Sequence, residues 1–367
     1  MDKKFFKEAI YSGLEFTKKL QTDKQYNFRP ANEGLTVYGK TLSLGFSCLA
    51  LKTYFMTSEW DKLEDKHKTE WTSYINSFQV EKSRFPENSF IDNEMITSYR
   101  NQSYDKKVKD KLKNILNLLP SYNFDSADTR LNKAINAETK QAISTLYEVG
   151  SKNKNKINEI YFEGNSVVEY LNKLDWSKPW ASGAQFSSMC VFTTTQNLGL
   201  KNELEIFIDN LSNKDTGSYF TEEPSSAREV INGAMKVISG LDWLDKEIHY
   251  PKELIDYCLS NSPILEGCDV VDFVYVLYKC AEQENYRKKE ISILFENILN
   301  DLMKLYVKKD GGFSYFIEKS QTHYYGVEIT KGLNCADIHS TTLCIWAIIM
   351  ILNLLEEIEP NMNIIKP

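Results

Sequence analysis

Asp310–Thr342 reads DGGFSYFIEKSQTHYYGVEITKGLNCADIHSTT and runs straight into LCIWAIIMILNLL, Leu343–Leu355. The paired glycines ending in an aromatic mark a turn. The cysteine, aspartate and histidine at 335, 337 and 339 then stand just ahead of a strongly apolar segment. That segment, Thr341 to Leu355, is 15 residues long, where roughly 20 are needed to cross a bilayer. It predicts a buried helix whose entrance carries a polar cluster.

The same kind of helix recurs upstream. TLSLGFSCLALKTYF from Thr41, ETKQAISTLYEVG from Glu138, SGAQFSSMCVFTTTQ from Ser182, REVINGAMKVISGL from Arg228 and CDVVDFVYVLYKC from Cys268 are all rich in small, apolar and aromatic residues, like ADIHSTTLCIWAIIMIL from Ala336. Taking Gln141, Ser187, Gly233, Asp272 and Thr341 as centres, the spacings are 46, 46, 39 and 69 residues, intervals that suit a helix pair plus a loop. More polar amphipathic segments lie between them, near Trp71, Val167, Ile206, Leu254 and Leu294, each with one apolar stripe. Three of these lead into a related turn: SFQVEKSRFPENSF, LSNKDTGSYFTEEP and YVKKDGGFSYFIEK.

The alternation predicts an all-α chain, 1–367 as one domain, arranged as an α/α toroid with six inner and six outer helices in a closed ring. Small residues such as Gly45, Ser47, Ala142, Ser187, Gly233, Ala234 and Ser340 let inner helices approach closely and leave space at the centre. An open solenoid of stacked helix pairs has the same alternation and stays open as the alternative. Residues from about 81 to 135 break the pattern and are expected to add a helical insertion or a flap over one end.

Composition narrows the partners. The formal charge of -7 and pI near 5.4 give no global electrostatic reason to bind nucleic acid or an anionic membrane. Seven cysteines, with no CxxC pair, lie mostly in apolar runs, which favours a reducing compartment, and the charged amphipathic start MDKKFFKEAIYSGLEFTKKLQ lacks the apolar core of a signal peptide. A cytoplasmic protein with no integral membrane segment is expected. There is no P-loop, no GxGxxG after a strand, no HExxH and no nucleophile elbow, so nucleotide-driven chemistry is disfavoured.

The GGF turn at Gly311–Phe313, and an aspartate and histidine leading into an apolar helix, resemble the repeats of the terpenoid (squalene) cyclase and protein prenyltransferase β-subunit superfamily. VVDFVYVLY, Val270–Tyr278, is similar to that family's helix carrying a metal-binding aspartate, which would be Asp272, and His339 is similar to its histidine. The resemblance implies an α/α toroid acting on an isoprenoid-like or lipid-linked substrate in an aromatic-lined cavity. The family's zinc motif is incomplete, because Val274 stands where its cysteine belongs; a zinc on Asp272 and His339 would need Cys268 or Cys335 in that place, and no cofactor is expected. Cyclase chemistry needs a DxDD, which is absent; Asp269 and Asp272 share one helix face, where paired carboxylates can raise one pKa or simply complement the helix dipole. In this reading Asp272 and His339 are the catalytic pair and Asp337 orients the histidine. Arg228 meets an anionic group, and Tyr275, Tyr325, Trp180 and His323 contact substrate.

A second chemistry suits the same ring. Tyrosines and tryptophans at helix entrances, beside His323, Asp337, His339 and Arg228, are the materials of a glycan-active lyase, hydrolase or epimerase, with platforms for sugar faces and acid–base groups. A third reading is a non-enzymatic scaffold for a peptide or protein. It requires a filled centre in which Asp272 and His339 are satisfied by neighbours.

Overall fold

Helices make up most of the computed structural model, which describes residues 4–101, 109, 111–112, 115, 124–157, 166–222, 224–358 and 361–367. In chain order they are α1 (Lys4–Lys19), α2 (Val37–Thr41), α3 (Leu44–Met56), α4 (Asp65–Asn76), α5 (Asn93–Arg100), α6 (Ala127–Glu148), α7 (Val167–Lys173) and α8 (Pro179–Gln196). They continue as α9 (Lys201–Leu211), α10 (Ala227–Leu244), α11 (Pro251–Leu259), α12 (Gly267–Gln283), α13 (Lys288–Leu302) and α14 (Ile338–Leu354). Three two-stranded antiparallel hairpins interrupt them: β1 (Gln79–Val80) with β2 (Ser89–Phe90), β3 (Tyr306–Val307) with β4 (Gly312–Phe313), and β5 (His323–Tyr324) with β6 (Val327–Glu328).

All six small-residue segments fall on helices: α3, α6, α8, α10, α12 and α14. Each packs against the next, and α14 packs against α3 as well as α12. Every junction carries a hydrogen bond. Gln141 donates to Gly45 O at 3.1 Å (α6 to α3), Tyr147 to Thr195 O at 2.6 Å (α6 to α8), and Ser187 and Ser239 share one at 2.8 Å (α8 and α10). Asn232 donates to Asp269 at 2.8 Å (α10 to α12), Tyr278 to Asn353 at 2.9 Å (α12 to α14), and the Thr53 and Thr342 hydroxyls are 3.0 Å apart (α3 and α14). Contacts advance together along neighbouring helices, as Arg228 and Asn232 with Asp269, Lys236 with Asp272 and Asp242 with Tyr275 do on α10 and α12, so the helices run parallel with their N-termini at one end. Small residues set the spacing: a Cβ on Gly240 would lie 3.0 Å from Cys190 Sγ.

The amphipathic helices cover this set from outside. α1 lies on α14 and α3, α4 on α3, α9 on α7 and α8, α11 on α12, and α13 on α12 and α14. α13 shows the reason: Ile291, Phe295, Ile298, Leu299 and Leu302 form the buried stripe of a 3.6-residue period, while Ile293 on the other face is exposed. The recurring turn is a recurring structure. β1–β2 follows α4, an isolated bridge Ser212–Tyr219 follows α9, and β3–β4 follows α13. A fourth copy after α1, bridged Gln21–Phe28, was not singled out in the sequence. Each ends in a buried aromatic, Phe28, Phe90, Tyr219 or Phe313, which fixes the turn against the core. Gly311, at φ +81°, supplies the left-handed residue of the last one.

The expected insertion is shorter at its C-terminal side than 81–135, because α6 already begins at Ala127 with Ser126 capping it through Thr129 N–H. Its described part holds β2, α5 and Phe124–Ser126; much of 102–123 lies outside the described residues. Among the described residues no helix is long and apolar enough to cross a membrane. All seven cysteines are free thiols.

Candidate functional site

A charged residue inside an apolar helix has to find a partner or a polar space. Five of the six parallel helices carry ionisable residues that meet between them: Lys52 on α3, Glu138 and Lys140 on α6, Lys236 on α10, Asp272 on α12 and His339 on α14. Their convergence is visible in their electrostatics. Burial, then the charges of Lys52 and Lys236, push Lys140 down to about 7. Burial, then Lys236 and Lys52, push His339 down to about 4. Groups on non-neighbouring helices therefore face one interior.

Glu138 is 2% exposed, and neither carboxyl oxygen has a well-directed hydrogen bond among the described residues, although the Tyr324 hydroxyl is within reach. Burial, then the charge of Asp92, raises it to about 8, so the carboxyl is protonated at neutral pH. Beside it the Tyr324 hydroxyl donates to Gln141 Oε1 at 3.0 Å. Gly45 makes the approach of these two groups to α3 feasible: a Cβ there would collide with the Tyr324 hydroxyl and come within 2.8 Å of Glu138 Oε1. The His339 ring stands edge-on to Tyr324, with centroids 6.3 Å apart, and 5.7 Å from Tyr315. Its Nδ1 is buried without a partner.

Asp272 is also buried, with its pKa raised by burial and drawn back by Lys236. The Lys236 ammonium is 3.3 Å from Oδ2 and 3.5 Å from Oδ1, yet Oδ2 has no well-directed hydrogen bond. Lys52 is buried, its pKa lowered by burial, with only a long 3.4 Å contact to Ser144 Oγ. Trp346 Nε1 and Thr193 Oγ1 are buried and unpartnered too. Of nine such atoms among the described residues, six lie on these helices, five of them away from the last turn of α8 where Thr193 stands.

Asp272 and His339 stand on adjacent helices, α12 and α14, with no direct contact between them among the described residues, and the other expected residues are used elsewhere. Asp337 does not hold the His339 ring: its carboxylate accepts from the backbone N–H of Ser340 (2.8 Å), Tyr315 (2.9 Å) and Gln321 (3.0 Å) and so fixes the first turn of α14. Arg228 is already neutralised, at 2.8 Å from Asp269 and 3.1 Å from Glu266, and lies over Trp180 at 5.5 Å, so this pair forms a rim contact instead of an anion receptor. Asp269 accepts from Arg228, Asn232 and Ile264 N–H, which makes it a structural acceptor. His323 is exposed on β5 against Thr322 and outside the cluster. Tyr275 is fully buried, 5.1 Å from Trp346, and donates to Asp242 at 3.4 Å. Tyr325 stays at the mouth: its ring is 4.5 Å from Tyr324 and its backbone holds φ +44°.

The zinc set that the resemblance would require is not brought together among the described residues. Cys268 Sγ accepts from the Tyr315 hydroxyl at 2.6 Å, Cys335 is buried near Ser320, and among the described residues no group of three or more His, Cys, Asp or Glu is placed to hold a metal. Sequence reasoning missed Glu138, Tyr324, Lys52, Lys140 and Lys236. Their signal was present: each charged one interrupts a small-residue helix, and Glu138 and Gln141 are three apart, on one face.

No protein-family model matches this chain, and no curated protein matches it. Among solved structures a polysaccharide lyase is similar at 13% identity over 96% of this chain and 99% of that chain, with a TM-score of 0.44. At that score nothing about this chain's fold or chemistry follows from the likeness.

Proposed function

We propose that the six parallel helices close into an α/α toroid and that its lumen is an acid–base site for a polar, hydroxyl-rich ligand of the glycan class. One observation carries the proposal: the Glu138 carboxyl is buried, without a well-directed hydrogen bond and raised to about 8, across Tyr324 from an imidazole, His339, lowered to about 4 with Nδ1 unpartnered. Two titratable groups pushed to opposite sides of neutrality by their surroundings are suited to opposite roles. Glu138 holds a proton to give to a departing oxygen, and neutral His339 can take one at Nδ1. Tyr324, between them, is placed to bridge a substrate hydroxyl, and Tyr315 and Tyr325 offer ring faces at the mouth.

This reading is preferred over an isoprenoid-like substrate with transferase or cyclase chemistry because three ammonium groups, two carboxyls and an imidazole make a poor wall for a hydrocarbon chain. It is preferred over a scaffold with a filled centre because Asp272 Oδ2 and His339 Nδ1 lack the hydrogen bonds that a purely structural centre would supply. The test is turnover of a panel of neutral and acidic oligosaccharides by the wild type, Glu138→Gln and His339→Ala, with farnesyl diphosphate as a separate ligand. Positioned proton transfer contributes about 10²–10⁴-fold, so each variant should lose at least about 100-fold with its helical circular dichroism intact. Stabilisation by farnesyl diphosphate with no glycan turned over would overturn the reading.

A further inference from the structure

We infer that the lumen receives its ligand through an oxyanion, a carboxylate or phosphate group seated among Lys52, Lys140 and Lys236. The inference rests on the glycan reading for the ligand's body, but the anion seat stands on separate observations. Three lysines from α3, α6 and α10 share one interior, and the described residues give them a single carboxylate partner, Asp272 against Lys236. Lys52 has only the 3.4 Å contact to Ser144, and Lys140 has no hydrogen bond or ion pair among the described residues. Arg228, the cation expected from the sequence to meet an anion, is occupied by Asp269 and Glu266 at the rim. Of the other carboxyls, Glu138 is protonated at neutral pH, and Glu148, which Lys52 faces, is itself raised to about 7, so the three charges are compensated only in part.

Lys52 is buried and Lys140 and Lys236 are half-buried; ammonium groups turned toward one another from three helices repel, and an anion seated among them offsets that repulsion. Trp346 Nε1 adds a buried, unpartnered donor on α14. The arrangement also couples the seat to the acid–base pair. The lysine charges that hold His339 low are the ones an oxyanion would offset, so a seated anion restores basicity to Nδ1 at the moment the ligand arrives. A neutral sugar would leave the histidine a poor base. The ligand class is therefore an acidic sugar unit, with its charge from a carboxylate or from a phosphate ester.

The experiment is calorimetric binding at pH 6.5 with trigalacturonate, inorganic phosphate and neutral maltotriose, on wild type, Lys140→Met, Lys236→Met and Glu138→Gln. The expected result is binding of trigalacturonate, phosphate or both, none of maltotriose, and at least a tenfold loss in Lys140→Met. Lys236→Met is the second probe should Lys140→Met fold poorly. Glu138→Gln should bind normally, because the seat does not use its charge. Trigalacturonate without phosphate assigns a uronate, and phosphate without trigalacturonate assigns a sugar phosphate. Equal binding of maltotriose, no binding of either anion, or affinities unchanged in both lysine variants would overturn the inference. Anion binding without turnover of any glycan by the wild type would remove the acid–base reading and leave the seat standing.

Discussion

The two ends of the six-helix set use the same residue types to opposite effect. At the C-terminal end Asp242 accepts from Tyr275, faces Lys279 at 3.4 Å and lies 3.8 Å from Lys366. Tyr278 donates to Glu282 and to Asn353, and the segment Asn361–Pro367 crosses the end with Asn363 bonded to Phe55 O and Met56 O, Lys366 to Glu148 and Asp242, and Pro367 O to Trp243. Apart from Thr193 Oγ1, in the last turn of α8, the polar groups named there have partners; Trp346 Nε1 lies midway along α14. At the N-terminal end the carboxyl of Glu138 and His339 Nδ1 have no well-directed hydrogen bond, and Asp272 Oδ2 has only the 3.3 Å ion pair with Lys236. A saturated network rigidifies; an unsaturated one stores an interaction that a ligand can complete. The comparison separates floor from site without appeal to any relative.

The contrast is broken or sharpened most strongly at Glu138. Its carboxyl is raised in the folded chain, so folding is favoured by the protonated form, and the wild type loses stability as pH rises from about 4.5 to about 8. At pH 7 the gap of about 2.5 units corresponds to roughly 3 kcal/mol. Glu138→Gln should therefore be more stable than the wild type by up to that amount at pH 7, and equal to it near pH 4, while turnover is lost. A stability gain paired with an activity loss is the pattern of a functional group kept at a structural cost. Chemical denaturation at pH 4 and pH 7 checks it; a variant less stable at pH 7 would place Glu138 in the structural network instead.

The floor should behave in the reverse sense. Asp242→Ala strips Lys279 and the Tyr275 hydroxyl of a partner, and a broken buried network costs about 2 kcal/mol. Affinity for the anionic probe should stay within twofold, since Asp242 is not part of the seat. A loss of affinity equal to that of Lys140→Met would dissolve the distinction between the two ends.

The pH dependence of binding comes next. Lys140 titrates at about 7, facing Lys52, Lys236, Cys190 and Asp272, and Glu138 at about 8, facing Asp92 and Tyr324. As pH rises through this window the first loses a positive charge and the second gains a negative one, so both changes weaken anion binding. Affinity should fall about tenfold or more between pH 6 and pH 9, with proton uptake on binding near pH 7.5 in calorimetry run in two buffers of different ionisation enthalpy. Flat affinity across that range would show that these two groups do not meet the ligand.

Much of the architecture was legible because it rests on periodicity. Small-residue segments at similar spacing have to pack on one another, and stripes such as that of α13 have to cover them, so α3, α6, α8, α10, α12 and α14 could be found from composition alone. The site was legible only in part. Asp272 and His339 stood out as polar residues at helix entrances, but nothing local told that Asp337 and Arg228 at similar entrances would be consumed by backbone amides and by Asp269. Which polar group is satisfied is a tertiary property. Lys52, Lys140 and Lys236 were visible as interruptions of apolar helices; that they converge depends on the parallel register of helices far apart in sequence.

The smallest expected effect is the most local. Tyr325 holds φ +44° beside Gly326 at +81° in the β5–β6 turn, a conformation that costs a bulky residue about 1 kcal/mol, and its backbone oxygen accepts from Tyr99 on α5 at 2.8 Å. Its ring lies on Tyr324 with 38% of the residue exposed, while Glu138 and Cys268 are near enough to raise its pKa, so it stands between the outside and the cluster. Tyr325→Phe keeps the ring contact and the strained backbone and removes only the hydroxyl. Stability should then change by no more than about 0.5 kcal/mol. Ligand affinity should fall roughly two- to tenfold, the worth of one neutral hydrogen bond. If the hydroxyl served the fold, the two numbers would exchange, with the melting temperature dropping and affinity unmoved, and the boundary of the site would retreat to Tyr324.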